Sequence, residues 1–143
     1  MVFNDAERRY LAGQLLGRLA TVGRAGAPQV RPLGFRVNDD GTIDLGGPWV
    51  ARTQRYRNVQ ENPRVSFVVD DMTPAEGPEA IKPGMGRGVE IRGRAEPLRV
   101  DDPPGHPSMA GNDIIRVHPT RVLSWHIDPE QPDGRSRDVG EAR

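Results

Sequence analysis

At 143 residues, with 20 basic and 20 acidic side chains, the chain has the length of one domain and no net charge to draw it to nucleic acid or an anionic membrane. Its hydrophobic share of 35% reaches the usual globular range once the 17 glycines are counted, so a packed core is expected. Cysteine is absent, which excludes disulfides, thiolate metal sites and cysteine nucleophiles.

The first helix is predicted from Asn4, a cap with Glu7 three residues later in capping-box register. Phe3, Tyr10, Leu11 and Leu15 form its apolar stripe, and Gly17 closes it. Arg18 to Val22 reads as a first strand and Pro28 to Asn38 as a second. Pro32 removes a ladder donor from the second, which marks it as an edge strand or a bulged one near Pro32 to Gly34. Asp39-Asp40-Gly41 is a hairpin turn, and Thr42 to Leu45 is a third strand. It ends at Gly46-Gly47, where a ligand or another backbone can approach closely.

The stretch from Ala51 to Asp70 organises the rest. Arg52-Thr53-Gln54-Arg55 opens a short helix that Asn62-Pro63 ends, because proline disfavours helix at the residue before it. Free backbone N–H groups at that helix start, together with two or three guanidinium groups, suit a phosphate. A solvated helix face is the alternative reading of the same arginines. The fourth strand follows, with Val65, Phe67 and Val69 on one face.

Asp71 to Gly86 is a long Pro/Gly loop. Gly88 to Leu98 alternates cleanly, with Val89, Ile91 and Ala95 inward. Asp101 to Asn112 is a second such loop, and Asp113 to Val117 and Arg121 to Ile127 are the last strands, hinged at His118-Pro119. Residues 129–143 have the composition of a flexible tail, leaving 1–128 as the folded domain. Six or seven strands and two short helices make a mainly β chain, a small antiparallel barrel. No Gly-x-Gly-x-x-Gly follows a strand, which argues against a Rossmann domain. No signal peptide precedes the first helix and no apolar run nears the length of a membrane span, so a soluble cytoplasmic protein is expected.

Candidate chemistry is sparse. His106, His118 and His126 match no metal-ligand spacing and read as solvated or structural. Asp39-Asp40, Asp70-Asp71 and Asp101-Asp102 fall at predicted turns, where aspartate caps backbone. Ser66, Ser108, Ser124 and Ser136 sit in no nucleophile elbow. A bound cofactor performing the reaction would explain that scarcity. Arg31, Gly46-Gly47, Arg52, Thr53, Arg55 and Trp125 are then binding residues, with Trp125 either a ring-stacking group or a core or interface aromatic.

Five motifs in order carry a resemblance. They are Gly17-Arg18-Leu19-Ala20-Thr21-Val22; Pro28-Gln29-Val30-Arg31-Pro32; Arg55-Tyr56-Arg57-Asn58-Val59 with Asn62-Pro63-Arg64-Val65; Gly88 to Ala95; and Ser124-Trp125. Together they resemble the pyridoxamine 5'-phosphate oxidase-like superfamily, and most of all its actinobacterial branch that uses coenzyme F-420, a deazaflavin. The abundance of arginine over lysine (Lys82 stands alone) fits the GC-rich genomes of that group. The resemblance implies a six-stranded antiparallel split β-barrel working as a homodimer, with cofactor sites along the subunit interface.

It also implies roles. Arg55 takes the position of the phosphate-binding basic residue, with Thr53 and Arg52 beside it. Arg31-Pro32-Leu33 falls where backbone groups hold the cofactor ring, and Trp125 where the partner subunit contributes. The chain departs from the flavin oxidases at Thr53-Gln54-Arg55, where they carry Ser-Arg-Lys, and no terminal Arg-x-His can be placed. Both departures argue against oxidation of pyridoxamine phosphate. The expected activity is hydride transfer from reduced coenzyme F-420 to an electron-poor small molecule. The alternatives are an FMN-binding oxidoreductase of the same fold and a non-enzymatic carrier of a cofactor or small molecule.

Overall fold

A computed structural model describes residues 1–105 and 111–140. The expected cap at Asn4 is present, with the Glu7 N–H donating to Asn4 Oδ1 at 2.8 Å and the Asn4 N–H to Glu7 Oε1 at 3.0 Å. It starts helix α1, Asp5–Ala12, which buries Tyr10 and Leu11. The helix stops at Gly13, earlier than the sequence suggests, and Leu15 is left exposed. Gly17 closes no helix. It lies inside strand β1, Leu16–Val22, where the Phe67 ring occupies the space a Cβ would need.

Strand β2 is Pro28–Gly34 and strand β3 Arg36–Val37, so the single strand expected through Asn38 is interrupted at Phe35. After the Asp39-Asp40-Gly41 turn comes β4, Ile43–Leu45. Asp40 Oδ1 fixes the turn by accepting from the Thr42 N–H at 2.9 Å, and Gly41 takes the positive φ of 89°. A 3-10 turn, Val50–Arg52, leads into helix α2, Gln54–Glu61. Strands β5 (Arg64–Met72), β6 (Gly86–Arg99), β7 (Asp113–Trp125) and β8 (Arg135–Asp138) complete the chain.

All pairings are antiparallel, in the order β2-β1-β5-β6-β7-β4-β3, with β8 also on β7. The sheet curls around a core of Leu19, Ile43, Leu45, Phe67, Val69, Val89, Ile91, Ile115, Val117 and Val122. Phe3, Tyr10 and Leu11 from the α1 end and Val50 and Val59 from the α2 end join the same core. The mainly β, two-helix antiparallel architecture agrees with expectation. The strand count of eight, in place of six, arises from the break at Phe35 and from β8.

β2 is an edge strand, as its prolines require. The hinge expected at His118-Pro119 is a bulge inside one continuous β7: Arg92 pairs with Arg121 while Gly93 pairs with Pro119, so Thr120 is the extra residue. Gly93 lets the His118 carbonyl lie against its Cα. We expect Gly93→Ala to lower stability by about 1–3 kcal/mol through this collision, read as a drop in Tm by calorimetry. An unchanged Tm would show that the bulge can relax.

The tail expectation is corrected at its centre. β8 pairs residue by residue with Arg121 to Ser124, and Arg137 reaches back to α1. Its guanidinium donates to Glu7 Oε1 at 2.6 Å, Glu7 Oε2 at 3.0 Å and the Val2 carbonyl at 2.6 Å. Glu7 is fully buried. Asp70-Asp71 also differs from expectation, lying in strand β5 and not in a turn. Among the described residues no helix is long and apolar enough to cross a membrane.

Candidate cofactor site at the seam of the barrel

The two ends of the curled sheet, β2 and the β3–β4 hairpin, come from one stretch of chain. Between them lies an apolar trough of about 440 Å³. Pro32, Leu33 and Gly34 of β2, then Phe35, form one wall; Gly46, Gly47 and Pro48, just after β4, form another. Leu15, Pro104 and Gly105 border it, and Arg55 of α2 is its single charged side chain among the described residues. The Phe35 ring is braced edge-on against Phe67, with centroids 5.5 Å apart.

A second, polar cavity of about 580 Å³ also has Arg55 in its wall. Its other walls are Leu19, Thr21, Gln29, Val30, Arg31, Thr53 and Gln54. Helix α2 delivers Arg55 because Thr53 caps it, its Oγ1 accepting from the Tyr56 N–H at 3.3 Å while donating to the Val50 carbonyl at 2.6 Å. Asn58 locks the polar wall: its Nδ2 donates to Thr21 Oγ1 and Gln29 Oε1, both at 2.9 Å, and its Oδ1 accepts from Gln54 Nε2 at 2.8 Å.

The charge at this junction is not neutralised. Neither Arg31 nor Arg55 has a carboxylate partner among the described residues, and Arg55 Nε is buried without an acceptor. Burial, and then the positive charge of Arg31, push the Arg55 pKa below its ordinary value. Such a pair is poised for an anion.

The residues expected from sequence divide into two groups. Pro32, Leu33, Gly46 and Gly47 line the trough, Arg31 and Thr53 line the polar cavity, and Arg55 belongs to both. Arg52 lines neither; its carbonyl accepts from Arg57 Nη1 at 3.1 Å. Trp125 also stands apart, at the end of β7 opposite Gly88, where a Cβ at 88 would meet its ring at 2.8 Å. Sequence reasoning missed Phe35, Gln29, Gln54 and Asn58, although Asn58 sits within the quoted Arg55 to Val59 motif. It also passed over Trp49, a bulky residue at φ 52°, strained by about 1–3 kcal/mol.

No group of three or more metal-ligating side chains occurs among the described residues. His118 contacts Glu96 Oε1 at 2.8 Å and His126 Nδ1 the Gly86 carbonyl at 2.7 Å, both structural contacts. His106 and Ser108 lie outside the described residues.

Residues 3–126 match the pyridoxamine 5'-phosphate oxidase family. The chain belongs to that family. A reductase of 5a,11a-dehydrotetracycline and 5a,11a-dehydrooxytetracycline from Streptomyces rimosus is 38% identical over 141 residues, covering 97% of this chain and 94% of the relative. Among solved structures, one named F-420 reductase is 25% identical, with TM-score 0.58, covering 84% of this chain and 98% of that one. A conserved hypothetical protein from Mycobacterium tuberculosis, 24% identical with TM-score 0.65, covers 99% of this chain and 95% of its own and shares the fold. Family membership and a full-length reductase relative make this chain an oxidoreductase with the split-barrel fold.

Proposed function

We propose that the protein is a coenzyme F-420-dependent reductase acting on an electron-poor, conjugated small molecule. One observation carries the reading: Arg55, a half-buried guanidinium whose buried Nε lacks an acceptor, stands where an apolar trough meets a cationic cavity. The ligand that suits such a junction has a flat apolar ring and an anionic arm. Leu33, Phe35 and the Gly46-Gly47 turn would flank the ring, and a Cβ at Gly47 would meet nothing within 4 Å, which leaves that wall open to close approach. Arg55, Arg31 and Thr53 would hold the phosphate.

Preference for the deazaflavin over FMN rests on what lies past the phosphate position. FMN ends there, whereas coenzyme F-420 continues into an acidic tail. A third cavity, about 620 Å³, shares Gln29 and Gln54 with the second and adds Arg24 and Arg57 against one acid among the described residues, Glu61. That cationic excess favours a long anionic arm. The structure named F-420 reductase supports the same choice.

When bound, the reduced deazaflavin supplies a hydride from ring C5. The protein's own part is orientation and exclusion of water. The apolar walls leave one face for substrate, and Arg55 anchors the arm so that the ring face is fixed. Among the described residues no acid or histidine lines the trough, and water is the proton source in this proposal. We take the working unit to be a homodimer in which exposed Leu16, Val30 and Met72 are covered and Trp125 serves the partner's site.

Titration of the purified protein with coenzyme F-420 and with FMN, followed by coenzyme fluorescence, tests the assignment. Micromolar or tighter binding of coenzyme F-420, with weaker FMN binding, is expected. The reverse preference makes the protein a flavoenzyme, and binding without turnover of any acceptor makes it a carrier.

A further inference from the structure

We propose that Trp49 determines substrate specificity: its indole forms the outer wall of the trough and stacks on a planar, conjugated polycyclic substrate. This rests on the assignment above, in which the trough takes the coenzyme ring and its open side receives the substrate.

The backbone at Trp49 is left-handed, at φ 52° and ψ 39°. Bulky side chains rarely adopt that conformation, which glycine or asparagine takes at little cost. The turn itself is useful, since the Arg52 N–H donates to the Trp49 carbonyl at 2.8 Å and so starts the 3-10 turn that leads to Thr53 and Arg55. That role needs only the carbonyl. Tryptophan gains little there from its own chain, because 71% of the residue remains exposed. A strained position holding an exposed indole is explained by a contact outside the fold.

The surroundings select the kind of contact. Trp49 directly follows Gly47-Pro48, which wall the trough, and Leu15, another lining residue, is 86% exposed. The mouth is thus apolar, with Arg55 the single charged side chain lining the trough among the described residues. The flat face of a fused, conjugated ring system fits such a mouth, with the polar groups at the ring edges left on its open, solvated side. The relative that reduces dehydrotetracyclines acts on a molecule of this class.

The test uses full-length protein without coenzyme, titrated with oxytetracycline as the polycyclic probe and 2-cyclohexen-1-one as a single-ring probe. Trp49→Gly should raise the Kd for oxytetracycline tenfold or more, and Trp49→Phe should hold it within about threefold. The Kd values for the single-ring probe and for coenzyme F-420 should move less than twofold in both variants. Light scattering should show the wild-type oligomeric state throughout. Absence of oxytetracycline binding to the wild type, equal losses for both probes, or a change in oligomeric state in Trp49→Gly each overturns the proposal, the last by assigning the indole to a subunit contact. Failure of the wild type to bind coenzyme F-420 overturns the cofactor assignment alone, because the Trp49 comparison is made without coenzyme.

Discussion

Replacing Arg55 with glutamine should weaken coenzyme F-420 binding by roughly 10- to 150-fold, the equivalent of about 1.5–3 kcal/mol for a desolvated charge-assisted hydrogen bond. Stability should move the other way. In the coenzyme-free protein the guanidinium is partly desolvated beside Arg31 and has a buried Nε without an acceptor, so the charge is held against its preference. A neutral side chain of similar length removes that conflict, and Tm should stay level or rise. Arg55→Lys keeps the charge and loses the fork, so its affinity should fall between the two. Fluorescence titration and calorimetry on the same preparations give both readouts. Unchanged affinity in Arg55→Gln would remove Arg55 from the phosphate site. Weakened affinity with a large loss of Tm would instead mean that the side chain supports the fold.

The second large effect belongs to the C-terminal clamp. Arg137→Ala strips a fully buried carboxylate of its cation and should cost about 3 kcal/mol, or roughly 5–10 °C in Tm. Burial alone would raise the Glu7 pKa, but hydrogen bonds from Arg137 and the Asn4 N–H outweigh it and hold the pKa below its ordinary 4.5. A carboxylate with a depressed folded-state pKa stabilises fully above its unfolded value. That contribution fades as the pH falls below 4.5 toward the depressed value. In Arg137→Ala burial is opposed only by the hydrogen bonds from the Asn4 N–H and Ser124, so the variant loses less than the wild type when Glu7 is protonated. The Tm gap between wild type and variant should therefore be widest near neutral pH and close on acidification. A gap that stayed constant across that range would mean that Arg137 acts through packing and not through its charge.

Local rules predicted what local chemistry governs. The Asn4–Glu7 capping box, the Asp40 turn, the Asn62-Pro63 stop and the alternation of Val89, Ile91 and Ala95 follow from a few adjacent residues, and each is present. Proline in β2 identified an edge strand by the same means. What escaped was set by distant partners. Gly17 looks like a helix stop until Phe67, fifty residues later, is seen lying over it. The segment around Arg137 has the composition of a tail, and its pairing with β7 and an ion pair to Glu7, 130 positions away, are what order it. Among the candidate binding residues, the motif drew attention to Arg55 but not to Asn58, whose partners Thr21 and Gln29 lie on two other strands. Trp49 carried no signal because a left-handed φ on a non-glycine residue is invisible in composition.

Phe35 has a consequence for how the molecule comes apart. With Gly34 ending one edge strand and Arg36 beginning the other, a single residue joins the two margins of the sheet covalently, although no ladder runs between them. In most open sheets the margins fray independently, each exchanging its amide hydrogens at its own rate. Here, pulling β2 away from β1 tugs β3 and β4 away from β7, so the two margins form one cooperative unit. Amide exchange in β2 and β4 should then share one opening free energy, and a ligand seated between the margins should slow both by the same factor.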